Sequence, residues 1–95
     1  MARELKIGDH VVWHDSKGNP HNALVICNFG QTGRPAEEGC INVVMASPDE
    51  NEDDTYGRQI RRETSQVHKS RQNAHGGYWR FPEEEPNPYV APIAK

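Results

Sequence analysis

The sequence predicts a small, mainly β domain in which about five short antiparallel strands curl into a barrel, and three observations lead there. Short runs rich in β-branched and aromatic residues recur between Asp9 and Met45, as strands require. Clusters of Gly, Pro, Asn and Asp separate these runs, and no segment repeats its apolar residues at the period of a helix. The chain has 95 residues, which allows one domain whose thin core hides only roughly 60–65% of the surface of the unfolded chain.

The first strand is predicted at His10-Val11-Val12-Trp13-His14, entered through Gly8-Asp9. The turn formers Asp15 to Pro20 stop it. Asn22 to Phe29 follows, with Ala23, Leu24, Val25, Ile26 and Cys27 apolar on both faces. Such a run is expected deep in a sheet. Gly30 to Gly39 has loop composition, and Cys40 to Ala46 gives the third strand, closed by Pro48. The acids of Asp49 to Asp54 are expected in a solvated hairpin loop, since like charges repel and extend the chain. A fourth strand is predicted over Gln59 to Lys69, with Ile60, Arg62, Thr64 and Gln66 pointing to one side and Arg61, Glu63, Ser65 and Val67 to the other. Gly76-Gly77 turns the chain into a fifth run, Tyr78-Trp79-Arg80-Phe81.

Beyond Pro82 the composition changes. Residues 82–95 hold Pro82, Pro86, Pro88 and Pro92 and no apolar periodicity, so they are expected to form an extended, polyproline-like arm outside a barrel domain of residues 1–81. At this length an SH3-like barrel is the natural architecture, with Val11, Trp13, Val25, Cys27, Ile41, Val43 and Met45 as its core.

Two stretches add a resemblance. Lys6-Ile7-Gly8-Asp9-His10-Val11-Val12-Trp13, then a polar turn and Ala23-Leu24-Val25-Ile26, resembles the first hairpin of SH3-like barrels of the Tudor and KOW kind. Val67-His68-Lys69-Ser70 resembles the Ala-His-Lys-Pro segment that closes the bacterial hypervirulence-associated Tudor-like family. The resemblance extends from Lys6 to Arg71, with large loop differences, and covers nothing after Ala74. In style the whole chain, including Asp54 to Ile60 and Ala74 to Arg80, is similar to short proteins of tailed phages and bacteria. That implies a virion accessory or host-interaction setting, although a fold does not by itself specify a function.

Charge and composition narrow the function classes. The net charge of −3 disfavours a general polyanion binder. The distribution is polarised: Asp49, Glu50, Glu52, Asp53 and Asp54 precede Arg58, Arg61, Arg62, Lys69, Arg71 and Arg80. No segment has the length of apolar sequence that a membrane span needs, and the first residues lack the apolar core of a signal peptide. A cytoplasmic residence, or a virion, is therefore expected, with no membrane partner and with Cys27 and Cys40 as reduced thiols. A disulfide between them is the alternative if the hairpin sets them side by side.

No phosphate-cradling loop, nucleophile elbow or zinc-protease motif is present, so no enzyme activity and no cofactor are expected. Of the histidines, His10 and His14 alone have ligand-like spacing, and no pair of closely spaced cysteines accompanies them. No metal site is assigned. The remaining reading is a protein-binding or assembly module. Tyr78, Trp79 and Phe81, with Tyr89 and Val90 of the arm, would make apolar contacts, while Arg58, Arg61 and Arg62 orient the partner. Capping the open end of the barrel is the competing role for the aromatic trio. A homo-oligomer or virion subunit is one alternative, and nucleic-acid binding through residues 58–80 is the other.

Overall fold

The computed structural model describes residues 5–29, 39–72 and 76–89. It contains strands β1 (His10–His14), β2 (Pro20–Asn28), β3 (Cys40–Ala46), β4 (Asp53–Asp54), β5 (Gly57–Arg58), β6 (Ile60–Val67) and β7 (Tyr78–Arg80), with a 3-10 turn at Lys69–Arg71. Five of the strands form one antiparallel sheet in the order β6-β3-β2-β1-β7. The sheet curls until its two edges meet, where His68, just past β6, bridges in parallel to Trp79 of β7. The expected mainly β, five-stranded barrel is what the chain builds.

The alternation of side chains decides what fills the interior. Val11 and Trp13 of β1, Ala23 and Val25 of β2, and Ile41, Val43 and Met45 of β3 point inward and form one cluster with Leu5, Trp79 and Phe81. Cys27, expected in this core, is only half-buried. A β-bulge between Val25 and Cys27 sets it opposite Asn42 rather than among the inward residues. Both cysteines are free thiols, and in the register Cys40 lies opposite Val67 on its other side. β2 was expected deep in the sheet on both faces. Instead its outer residues Leu24 and Ile26 are exposed, because no described residues form a second layer over them.

A second bulge changes the polarity of β6. Glu63 pairs with Val43, but Gln66, not Ser65, pairs with Ile41. The extra residue is accommodated by Ser65 in the left-handed region (φ 55°), its amide held by the Asn42 side chain at 2.9 Å. This overturns the strict alternation expected for the strand: Gln66 leaves the side shared by Ile60 and Arg62 and turns inward, where its Oε1 accepts the Trp13 indole N–H at 2.8 Å. A bulge is a common device for re-aiming one side chain.

The acidic segment is also more ordered than a solvated loop. Asp53–Asp54 pairs with Gly57–Arg58 as a two-stranded ribbon, and Asp15, Asp49 and Asp54 each cap a turn by accepting nearby backbone N–H groups.

Two outcomes follow from the bulge. Ser65→Gly should stabilise the domain by up to about 1 kcal/mol, because glycine takes positive φ without steric cost. Gln66→Leu should destabilise it by about 1–3 kcal/mol by stranding the Trp13 N–H in a partly buried site. Urea denaturation followed by tryptophan fluorescence measures both.

Candidate interaction surface

The residues singled out in the sequence separate into three groups. Trp79 and Phe81 join the interior cluster and close the barrel, while Tyr78 is buried outside it. Tyr78, Trp79 and Phe81 are 3%, 0% and 3% exposed, so in the folded chain they present no exposed contact patch, and capping fits Trp79 and Phe81 only. Trp79 packs edge-on against Phe81 with centroids 5.1 Å apart and against the His68 ring at 4.8 Å. Its indole N–H has no hydrogen-bond partner among the described residues. Tyr78 lies on the outer face, stacked on His14.

The arm is the second group. Residues 82–89 do not project freely as a polyproline segment: they are fastened to the barrel. Glu84 Oε1 accepts the His68 Nε2–H at 2.9 Å and the Phe81 amide at 2.8 Å. Because the Ser70 amide donates to His68 Nδ1, the proton of the neutral ring lies on Nε2. Burial pushes the Glu84 carboxyl up, but the hydrogen bonds from His68 and Phe81 and the nearby Lys69 charge outweigh it and hold the group below its usual value. Further along, Asn87 donates its amide to the Tyr78 hydroxyl and its side-chain N–H to the Lys69 carbonyl and to Gln72 Oε1. Tyr89, 53% exposed, lays its ring over Gly18. A Cβ at Gly18 would come within 2.8 Å of that ring. Val90 lies outside the described residues.

The third group is the arginines. Arg58 pairs with Asp53 and donates to the Ser47 carbonyl, and the Asp53 hydrogen bond raises its pKa above the ordinary arginine value. Arg61 reaches Glu52 at 3.2 Å, whose carboxylate also accepts the Ser47 hydroxyl. The acidic ribbon thus neutralises two of the three charges. Arg62 is exposed, with no hydrogen bond or ion pair among the described residues.

Arg62 borders a surface that sequence reading missed. In register, His10, Leu24, Val44 and Arg62 form one row across β1, β2, β3 and β6, and Asn22, Ala46 and Ile60 extend the same face beside them. Leu24 is 47% and Ile60 74% exposed. Between them runs an open groove of about 280 Å³, lined by Ala23, Leu24, Val44, Met45, Ala46 and Ile60, with Asn22 at its edge. The signal was present in the apolar residues at both parities of β2 and β3. In β2 that pattern was taken for deep burial, whereas a single curled sheet buries only its inner face.

Among the described residues no group of three or more His, Cys, Asp or Glu side chains could hold an ion, and His10 and His14 are engaged by Asn22 and by Gly18 and Arg80. No described helix is long and apolar enough to cross a membrane. No family model, curated protein or solved structure matches this chain.

The arm's attachment has two measurable consequences. Gly18→Ala, at φ 84° and against the Tyr89 ring, should cost about 1–2 kcal/mol and free Tyr89, seen as line narrowing of its NMR resonances. Glu84→Gln should weaken the domain at neutral pH. The wild-type advantage is present above the ordinary carboxylate range and is lost as the pH falls through the depressed Glu84 value. Thermal melts of both proteins between about pH 7 and pH 3 should therefore converge on the acid side.

Proposed function

We propose that this chain is a non-enzymatic protein-binding module. It docks a partner segment of apolar side chains accompanied by a carboxylate on the outer face of β2, β3 and β6. The observation that carries the reading is the juxtaposition of the Leu24–Val44–Ala46–Ile60 groove with the Arg62 guanidinium, which no described residue engages, beside Val44. Contiguous exposed apolar surface rimmed by polar groups marks interaction sites on small soluble domains. A free arginine at its border selects an acidic rather than a basic companion, because a like charge brought against it is repelled. This assigns orientation to Arg62 and moves the apolar contacts from the aromatic trio to the open face.

The pairing of Arg58 and Arg61 with Asp53 and Glu52 weighs against a phosphate-binding track over residues 58–80. An SH3-like barrel of the Tudor kind would accommodate a protein-binding role, and a virion or cytoplasmic setting remains part of the proposal.

A peptide array of Leu-, Ile- and Phe-rich sequences, with and without Asp or Glu, tests it. Acidic-apolar peptides should bind, Ile60→Glu should weaken them at least about tenfold, as expected for an interface anchor, and Arg62→Glu should abolish the preference for acids. Preference for basic peptides, or binding indifferent to both substitutions, would overturn it. A dimer in sedimentation that dissociates with Ile60→Glu would instead assign the face to a second copy of this chain. Affinity for DNA or RNA at about 50 mM salt, unaffected by Ile60→Glu, would favour the nucleic-acid alternative.

A further inference from the structure

Closing the barrel uses the two edges of the sheet unequally. β7 is three residues long and is bridged to His68 through Trp79. β6 has eight residues, and among the described residues β3 alone pairs with it as a strand. The phase of that ladder decides which backbone groups of β6 are engaged. The Ser47 amide donates to the Gln59 carbonyl at 2.8 Å. Antiparallel ladders alternate between pairs that exchange hydrogen bonds and pairs that do not, so Met45–Arg61 and Val43–Glu63 are the bonded pairs in the same register. Ile60 and Arg62 then turn their N–H and C=O groups away from β3.

A row of unpaired backbone groups is a template on which another chain can add a strand. Ile60, Arg61 and Arg62 are exposed, so the row is open to solvent. It ends at the bulge, where the Thr64 carbonyl accepts the Gln66 side-chain N–H at 2.7 Å and Ser65 takes positive φ.

The side chains of Ile60–Glu63 select what fits. Ile60 and Arg62 stand on the outer face in the rows of Ala46 and Val44, and Arg62 has no ion pair among the described residues. A second copy of the strand is a poor match. With outward groups facing each other, any symmetric antiparallel pairing of this segment that joins more than one residue centres on Arg61 or Arg62. That arginine then lies opposite its own copy, and like charges directly opposite destabilise a pair.

We propose that a partner of different sequence adds a strand to the β6 edge, antiparallel to β6, with a carboxylate opposite Arg62 and an apolar side chain opposite Ile60. The inference rests on the protein-binding reading above and gives the partner an extended conformation. Every strand pair of the five-stranded sheet is antiparallel, and the straight bonds of that geometry suit the added strand. The partner residues opposite Ile60 and Arg62 lie two positions apart. Each exchanges N–H and C=O bonds with β6, and both of their side chains fall on the outer face. The apolar one meets Ile60 at the lip of the groove, and the carboxylate faces the arginine. A helix laid in the groove would leave the edge groups unpaired.

Hydrogen exchange of the full chain labelled with 15N tests this with the capped peptide Thr-Val-Thr-Glu-Thr-Ile-Thr-Val. In the chain alone the Arg61 and Glu63 amides, bonded to β3, should exchange slowly and those of Ile60 and Arg62 fast. Saturating peptide should slow Ile60 and Arg62 by at least about tenfold, as amides entering a ladder do. A methyl on the peptide's Glu or Ile nitrogen, which faces β6, should weaken binding about tenfold or more, because it removes a donor and stands between the strands. A methyl on the Thr nitrogen between them, which faces away, should change it by less than about twofold. The proposal is overturned if Ile60 and Arg62 are already protected in the chain alone, as pairing with a second copy would make them. It is overturned too if the position of the methyl is immaterial. In that case binding that Ile60→Glu still weakens leaves the groove reading standing. Absence of binding by this and every other acidic-apolar peptide removes both.

Discussion

The structure depends on one closure: the edges of a single five-stranded sheet are drawn together where His68 bridges to Trp79. A sheet this small has no second layer to bury its apolar face and must bury that face against itself. Trp79 makes this possible. It is the largest of the fully buried side chains, and it enters from the shortest strand of the sheet, only three residues long. Truncating such a tryptophan costs about 3–5 kcal/mol, a large part of the roughly 5–15 kcal/mol by which domains are stable. The polar residues around the closure serve the same end. His68 starts the 3-10 turn by accepting the Ser70 amide, and passes its other nitrogen to Glu84, so the joint is tied to the first turn of the arm.

Closure explains why the arm cannot be a passive tail. β7 ends at Arg80, and Phe81, whose ring completes the core, has its amide satisfied by Glu84 from three residues downstream. Arg80 in turn spends its guanidinium on the carbonyls of Phe81, Pro82 and Glu84. These are backbone groups that no strand partner satisfies, and a proline-rich segment has few amide donors of its own. Side chains supply what the ladder does not. Proline content was a sound guide to the absence of a strand here, but a poor guide to the absence of contacts.

How much was legible in the sequence follows from which interactions are local. β1 and β3 were read at their observed bounds because turn formers flank them and their inward residues alternate cleanly. The bulge at Thr64–Ser65 was not legible, since its cause is Asn42, over twenty positions away, and nothing in a run of polar residues marks where the period breaks. The roles of Tyr78, Trp79 and Phe81 depended on whether the core was already full without them. Seven inward residues from three strands leave one end open, so Trp79 and Phe81 went inside, while Tyr78 was buried against His14 on the outer face. Arg58 and Arg61 were visible as charges, but their neutralisation needed the β4–β5 ribbon that folds the acids back on them.

The outer face is where these constraints meet. Closing the barrel uses the inner residues of every strand, and the arm then covers the β7 side of the exterior, leaving the β2–β3–β6 side bare. Apolar residues on that side contribute nothing to the core, and an exposed isoleucine or leucine gains no burial energy in the isolated domain. A single such residue needs no explanation, but Leu24, Val44, Ala46 and Ile60 align across three paired strands, with the one arginine of the three that the acidic ribbon leaves free at their border. Folding of the isolated chain does not account for that alignment, which the proposed docking of a partner would bury. His14 is placed at the boundary between the covered and the bare halves, next to the strand pair that both share.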